Sequence, residues 1–191
     1  MSTETKALPL ASGLWALDPL HSQVTFAIRH LGVSKVRGRF NKFEASLDVG
    51  EGIDDTYVTA VIDVASIDTG NSDRDAHVLT DEFLHVEEHP EIRFQSTRIA
   101  GSEGDWVMEG EVTINKVTKP FTFDVEFGGT GDFAGTQHAG FSASGDLKRS
   151  DFGVVFGAMA EVGLGKNVQF ELDLQFVEPS TDPADPADSA G

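Results

Sequence analysis

The chain has 191 residues, a formal net charge of −18 and no cysteine. That negative field repels phosphate backbones and anionic lipid surfaces, which disfavours nucleic-acid binding and docking through a basic patch. The absence of cysteine removes disulfides, thiol catalysis and thiolate-held metals from consideration.

Residues 1–12 read as a flexible arm. The opening "MSTETKALPLASGLWALDP" has no basic start followed by a long apolar run, because Pro9 and Gly13 interrupt it. No signal peptide and no membrane span are read there, so the expected location is cytoplasmic, without stable membrane insertion. From residue 13 to 178 alternation of period two dominates. "SQVTFAIRH" sets Val24, Phe26 and Ile28 on one face, with His30 in the same phase. A strand over about 35–49 changes phase near Asn41 and Lys42, which predicts a bulge or strong bend. A further strand is expected at about 57–67.

Residues 68–90 break the alternation. Asn71 or Ser72 can cap a helix, and Asp73 and Asp75 suit its first turn. The spacing of Ala76, Leu79 and Phe83 predicts a short helix from about 72 to 79 whose apolar side faces the barrel, with a second turn at about 81–85. Pro90 marks the exit. Strands then resume at about 91–99, in "WVMEGEVTI" (Trp106 to Ile114), in "FTFDVEF" (Phe121 to Phe127), at 138–148 and in "NVQFELDLQF" (Asn167 to Phe176). "GVVFGAMAEVGLG" reads as a bent loop or lid near a barrel mouth. Residues 179–191, rich in Pro, Ala and Asp, read as a disordered acidic tail.

About eight long strands, each with one apolar face, predict an antiparallel barrel, since closure removes exposed edges. Eight strands enclose a space that side chains can fill or that can hold one small ligand. With 14 Phe against one Tyr and two Trp, the interior is apolar and short of polar handles, which fits both outcomes.

"HVEEHP", residues 85–90, matches the H-x-x-E-H zinc-peptidase pattern at His85, Glu88 and His89. Two histidines four apart share a face only on a continuous helix, and Pro90 places His89 at or past a helix end. A metal-dependent hydrolase using these residues, with His77 as another ligand, is therefore the second reading, and no metal site is expected. No G-x-S-x-G elbow, phosphate loop, dinucleotide fingerprint or EF-hand is present, and no catalytic residue is assigned.

Several blocks together resemble the YceI-like family of polyisoprenoid-binding, lipocalin-like proteins. They are Trp15, Leu17, Asp18, His21, Ser22, Val24 and Phe26 in W-x-L-D-x-x-H-S-x-V-x-F; "RHLGVSKVRGRFNKF"; "SIDTGNSDRDAHVLTDEFL"; "HPEIRFQS"; "GEVTINKVTKP"; and "RSDFGV". The likeness covers about residues 14–177. It departs at Asn115-Lys116, where the family often ends the pair in Gly, at the inserted Val78, and at Leu84-His85 in place of a common Phe-Asp.

The resemblance implies an all-β fold: an extended eight-stranded antiparallel lipocalin-like barrel with a short helical segment near residues 72–85. It implies an apolar tunnel that binds, and carries or stores, a polyisoprenoid or similar amphiphile such as a quinone tail, without enzymatic turnover or any other cofactor. Wall residues expected on this basis are Phe26, Ile28, Phe40, Leu79, Phe83, Phe94, Phe123 and Phe141. Arg74, Asp75, Arg149 and Asp151 are expected to pair or cap at the rim. An isoprenoid lipid is the expected partner, and a homodimer is an assembly the resemblance allows. A stress-related barrel with a filled core is a further alternative.

Overall fold

The computed structural model describes residues 8–102, 104–155 and 157–179. The arm expected at 1–12 and the tail expected at 179–191 thus lie mostly outside the described residues. Leu8, placed in that arm by its sequence, is buried against the barrel. Strands β1 (Gly13–Leu17), β2 (Gln23–His30), β3 (Ser34–Phe40), β4 (Phe43–Val49), β5 (Tyr57–Asp63) and β6 (Ile67–Asp68) precede the helix α1 (Ser72–Val78). Then come β7 (Glu91–Ser102), β8 (Asp105–Ile114), β9 (Val117–Phe133), β10 (Thr136–Lys148), the helical turn α2 (Ala158–Gly163) and β11 (Leu164–Val177).

The strands form one sheet in the order β1-β4-β5-β7-β8-β9-β10-β11, and β1 also pairs with β11, closing an eight-stranded antiparallel barrel. Beyond the ring, β11 continues to β2, β3 and β6. One long strand, β11, serves both parts: its end pairs with β1 at Phe176 and Val177, and residues 164–173 pair with β2. Among the described residues, no helix is long and apolar enough to cross a membrane.

The alternation sets which side chains enter. In β8 Met108, Val112 and Ile114 are buried while Glu109 and Glu111 are exposed; in β9 Phe121 and Phe123 are buried between exposed Thr122 and Asp124. The phase change near Asn41–Lys42 is the break between β3 and β4, with Phe40 buried on one side and Leu47 and Val49 on the other. Ser66 holds that bend, since its Oγ accepts from Lys42 N at 3.0 Å and its carbonyl accepts from Asn41 N at 3.1 Å.

The corner between β1 and β2 is the W-x-L-D-x-x-H-S block. Trp15 is fully buried and its indole N–H donates to Ala11 O at 2.9 Å. Asp18 accepts from Leu20 N at 2.9 Å and caps the 3-10 turn Pro19–His21. Its second oxygen meets His21 Nδ1 at 2.8 Å and accepts from Gln175 Nε2 at 3.2 Å. Buried Ser22 accepts from Gln175 N at 2.9 Å, so the corner is tied to β11 where that strand changes partners.

Asn71 caps α1, its side chain accepting from Arg74 N at 2.9 Å. The helix ends at Val78, one residue short of the expected end, and residues 81–84 form the expected second turn. Ala76 is consequently exposed rather than turned inward, and Val78 takes its place. The segment 153–165, expected as a bent loop, carries the turn α2 and runs directly into β11.

Much of the closed ring is filled by aromatic rings. Phe94 and Phe121 each stack edge-on against Phe123, with centroids 5.2 and 4.7 Å apart. Further along, Phe141 packs against Phe127 at 5.2 Å and Phe176 at 6.0 Å, and Trp106 lies 5.9 Å from Phe127. The side formed by β2, β3 and the start of β11 is different. Along residues 34–38, β3 has no second neighbouring strand among the described residues, because β6 pairs only with Arg39 and Phe40.

Candidate ligand cavity

On that side the barrel is hollow. A cavity of about 600 Å³ lies between β2, β3, β11, α1, the turn after it and the segment before β11. Its walls are almost wholly apolar: Phe26 and Ile28 from β2, Val36 and Phe40 from β3, Val168 and Phe170 from β11, Val78, Phe83 and Leu84 from the helical side, and Ile92, Ile114 and Leu147 from the strand ends. The volume lies within the range of roughly 300–1,000 Å³ usual for small-ligand sites. Gly38, opposite Phe26 in the β2–β3 register, leaves the space that the Phe26 ring occupies.

Polar groups are confined to a few positions. His30 stands exposed at the β2–β3 end of the cavity, beside the apolar Leu31. Thr69, Arg74 and His77 border the helical side. Arg74 donates through Nε to Thr69 Oγ1 and through Nη2 to Thr69 O, both at 2.8 Å. Asp75 accepts from Thr69 N at 3.0 Å and from the Thr69 hydroxyl at 2.5 Å. Arg74 and Asp75 thus close the loop 69–75 around one threonine. Just before it, the Gly70 N–H and the Arg39 guanidinium hold the Asp68 carboxyl below the ordinary carboxylate range. His77 meets Glu82 at 3.1 Å and packs edge-on against Phe83, with centroids 4.7 Å apart.

Arg149 is the buried cation of the cavity wall. Its side chain is 3% exposed, and it donates to Gly165 O and Val154 O, both at 2.9 Å, and to both carboxylate oxygens of Glu161, at 2.6 and 3.0 Å. It holds residues 154–165 against the barrel. Asp151 pairs with Lys148 at 3.4 Å on the surface.

Of the eight expected wall residues, Phe26, Ile28, Phe40 and Phe83 line this cavity. Leu79 packs against the core outside it. Phe94 and Phe123 stack on each other in the filled part of the ring. Phe141 lies in the other aromatic group, six positions along β10 from Leu147, roughly 20 Å away at strand rise. Among the wall residues that sequence reasoning missed, Val36, Val168, Phe170 and Leu147 have the inward phase of their strands.

The H-x-x-E-H residues require a correction of the sequence argument. They are not on a helix, yet they converge: one coordinating atom from each of His85, Glu88 and His89 lies within 4.8 Å of the other two. A turn, with His89 N donating to His85 O at 2.8 Å, supplies the proximity that a helix was thought necessary for. His77 is not part of this group and pairs with Glu82.

The YceI-like domain family model matches residues 15–176. The chain belongs to the YceI-like family. A YceI-like relative, a UPF0312 protein of Staphylococcus epidermidis, is 39% identical over 166 residues, covering 83% of this chain and 94% of its own. Among solved structures, BcnA of Burkholderia cenocepacia superposes with a TM-score of 0.72 at 23% identity, over 83% of this chain and 98% of its own. A polyisoprenoid-binding domain from Saccharophagus degradans, implicated in plant cell wall breakdown, superposes with a TM-score of 0.65 at 13% identity, over 86% and 98%. At those identities the two structures establish the YceI-like barrel fold alone.

Proposed function

We propose that this YceI-like protein is a binding protein, without catalytic turnover, that holds the chain of a polyisoprenoid or similar amphiphilic lipid in the cavity beside β2 and β3. The observation that carries the reading is the cavity itself, about 600 Å³ with apolar walls, at one side of a barrel in which Phe94 and Phe123, and Phe127 and Phe141, pack on each other. The fold shared with a polyisoprenoid-binding domain supports the same ligand class by analogy. Each buried methylene contributes about 0.8 kcal/mol, so a five-carbon isoprene unit contributes roughly 4 kcal/mol. Association costs roughly 4–15 kcal/mol, so about four buried units give net binding even at the upper cost. The polar end of the guest sits at the helical side, where Arg74 and His77 border the cavity.

Organic extraction of the natively purified protein followed by mass spectrometry tests the proposal. Recovery of a stoichiometric prenyl or other long-chain lipid, lost from an Ile28→Trp variant that still folds, is the expected result. An extract without lipid, together with no saturable uptake of a fluorescent prenyl probe by the emptied protein, would overturn it.

A further inference from the structure

The turn after α1 carries a second cluster, separate from the cavity, formed by His85, Glu88 and His89. The two imidazoles face each other edge-on with ring centroids 5.7 Å apart. Glu88 lies between them, one carboxylate oxygen 3.8 Å from His85 Nε2 and the other 3.9 Å from His89 Nε2. His89 Nε2 is buried and has no hydrogen-bond partner, although a buried ring nitrogen ordinarily finds one.

The backbone beneath the cluster is built to hold it. His85 adopts φ +49°, a left-handed conformation that costs an L-residue energy and persists only where its surroundings enforce it. His85 N donates to Thr80 O at 2.9 Å, and His85 O accepts from Glu88 N at 3.1 Å and His89 N at 2.8 Å. The flanks are anchored too: Asn115 Nδ2 donates to Phe83 O at 2.7 Å, and Val64 N donates to Pro90 O at 2.9 Å.

We propose that His85, Glu88 and His89 bind one divalent transition-metal ion, of which Zn²⁺ is the representative. Two imidazoles and one carboxylate are a donor set that suits zinc and its first-row neighbours. Around a tetrahedral ion with bonds of about 2.1 Å, neighbouring ligand atoms lie about 3.4 Å apart. With one ligand atom from each residue the three atoms lie within 4.8 Å of one another, so side-chain rotations that close the triangle by up to about 1.4 Å reach that spacing. Three protein ligands leave the fourth position to water. Glu88 is spent as a ligand, which separates this site from a peptidase in which the motif glutamate does other work. The ion neutralises the carboxylate, occupies the orphaned His89 nitrogen and links the two ends of the turn.

The test uses the full chain without an affinity tag, titrated with ZnCl₂ by calorimetry and dialysed for metal analysis. One zinc per chain is expected. His85→Ala and His89→Ala each abolish stoichiometric binding, Glu88→Gln weakens it, and His138→Ala, whose ring pairs with Gln175 elsewhere, leaves it unchanged. Should an alanine variant fail to fold, side-chain ¹⁵N spectra of the unaltered protein decide: zinc shifts the Nε2 signals of two of the six histidines, those assigned to His85 and His89. Absence of stoichiometric zinc, binding that survives both histidine replacements, or shifts at other histidines would overturn the proposal.

Discussion

The ring of Phe26 lies over the bare α-carbon of Gly38, its cross-strand partner, and a β-carbon placed on Gly38 would stand 2.3 Å from the ring's Cζ. A side chain at Gly38 therefore drives the Phe26 ring toward the cavity. Gly38→Ala is expected to cost about 1 kcal/mol, the low end for overpacking because the ring has open space to move into. It is also expected to weaken uptake of a prenyl-chain probe. Probe titration beside a thermal melt checks this; unchanged uptake would show that Phe26 is not a wall of the occupied site.

If the cavity holds lipid, emptying it lowers stability by mass action. At free ligand about one hundred times the dissociation constant, the occupied protein gains about 2.7 kcal/mol over the empty one. Melting of delipidated protein with and without added C20 prenyl alcohol reads this difference, and coincident melts would count against occupancy of the native cavity.

At the β1–β2 corner, the hydrogen bond from His21 and the Leu20 N–H together hold the Asp18 carboxyl below the ordinary carboxylate range, against the opposing effect of burial. A group whose folded value is depressed stabilises the fold above its unfolded pKa, near 3.9, and loses that contribution as pH falls through the lowered folded value. Asp18→Ala should cost about 1 kcal/mol near neutrality, through loss of the cap, which corresponds to a melting shift of roughly 2–4 °C. The gap from the unaltered protein should narrow below about pH 4, measured by melts across a pH series.

Arg149 has more than one role to lose. Arg149→Met removes charge-assisted bonds to Gly165 O, Val154 O and Glu161, at an expected cost of roughly 2–3 kcal/mol. Glu161 is half-exposed and regains water, which keeps the loss below that of a fully buried pair. Hydrogen exchange should speed up selectively over residues 154–165; uniform acceleration would instead indicate a general loss of stability.

The β8–β9 hairpin turns through Asn115 at φ +48° and Lys116 at φ +60°, a geometry that Gly adopts without a β-carbon penalty. Lys116→Gly is expected to raise stability by about 0.5–1 kcal/mol, the relief of strain exceeding the added backbone entropy of the unfolded chain. Denaturant titration at unchanged slope checks it. Asn115 is not interchangeable in this way, because its amide also ties down Phe83 O.

Alternation reveals the long strands because one face of each is buried, so the side-chain period survives in the sequence; it misses the short β1 that closes the ring and reads β3 and β4 as one strand. The bend at Asn41–Lys42 was legible as a phase slip for the same reason. Alternation says which face a residue is on, but not its height along the barrel. Phe26 and Phe40 therefore could not be told from Phe94, Phe123 and Phe141, although the first two border a void and the others fill the interior. Height is fixed by register, and register between distant strands is not written locally. Helical spacing misleads here: it turns Ala76 inward, where the structure exposes it, and it separates His85 from His89, which a turn with a left-handed residue brings together. That conformation at a histidine has no sequence signal comparable to a glycine's.

The unpaired flank of β3 gives the cavity one boundary made of packed side chains from α1 and the following turn instead of shared amide bonds. Lys35 and Arg37 on that flank discourage a foreign strand from adding to it. A doorway of this kind can part and reseal while every ladder in the barrel stays intact. Its motion is that of a loop and its side chains, uncoupled from the far slower opening of the sheet.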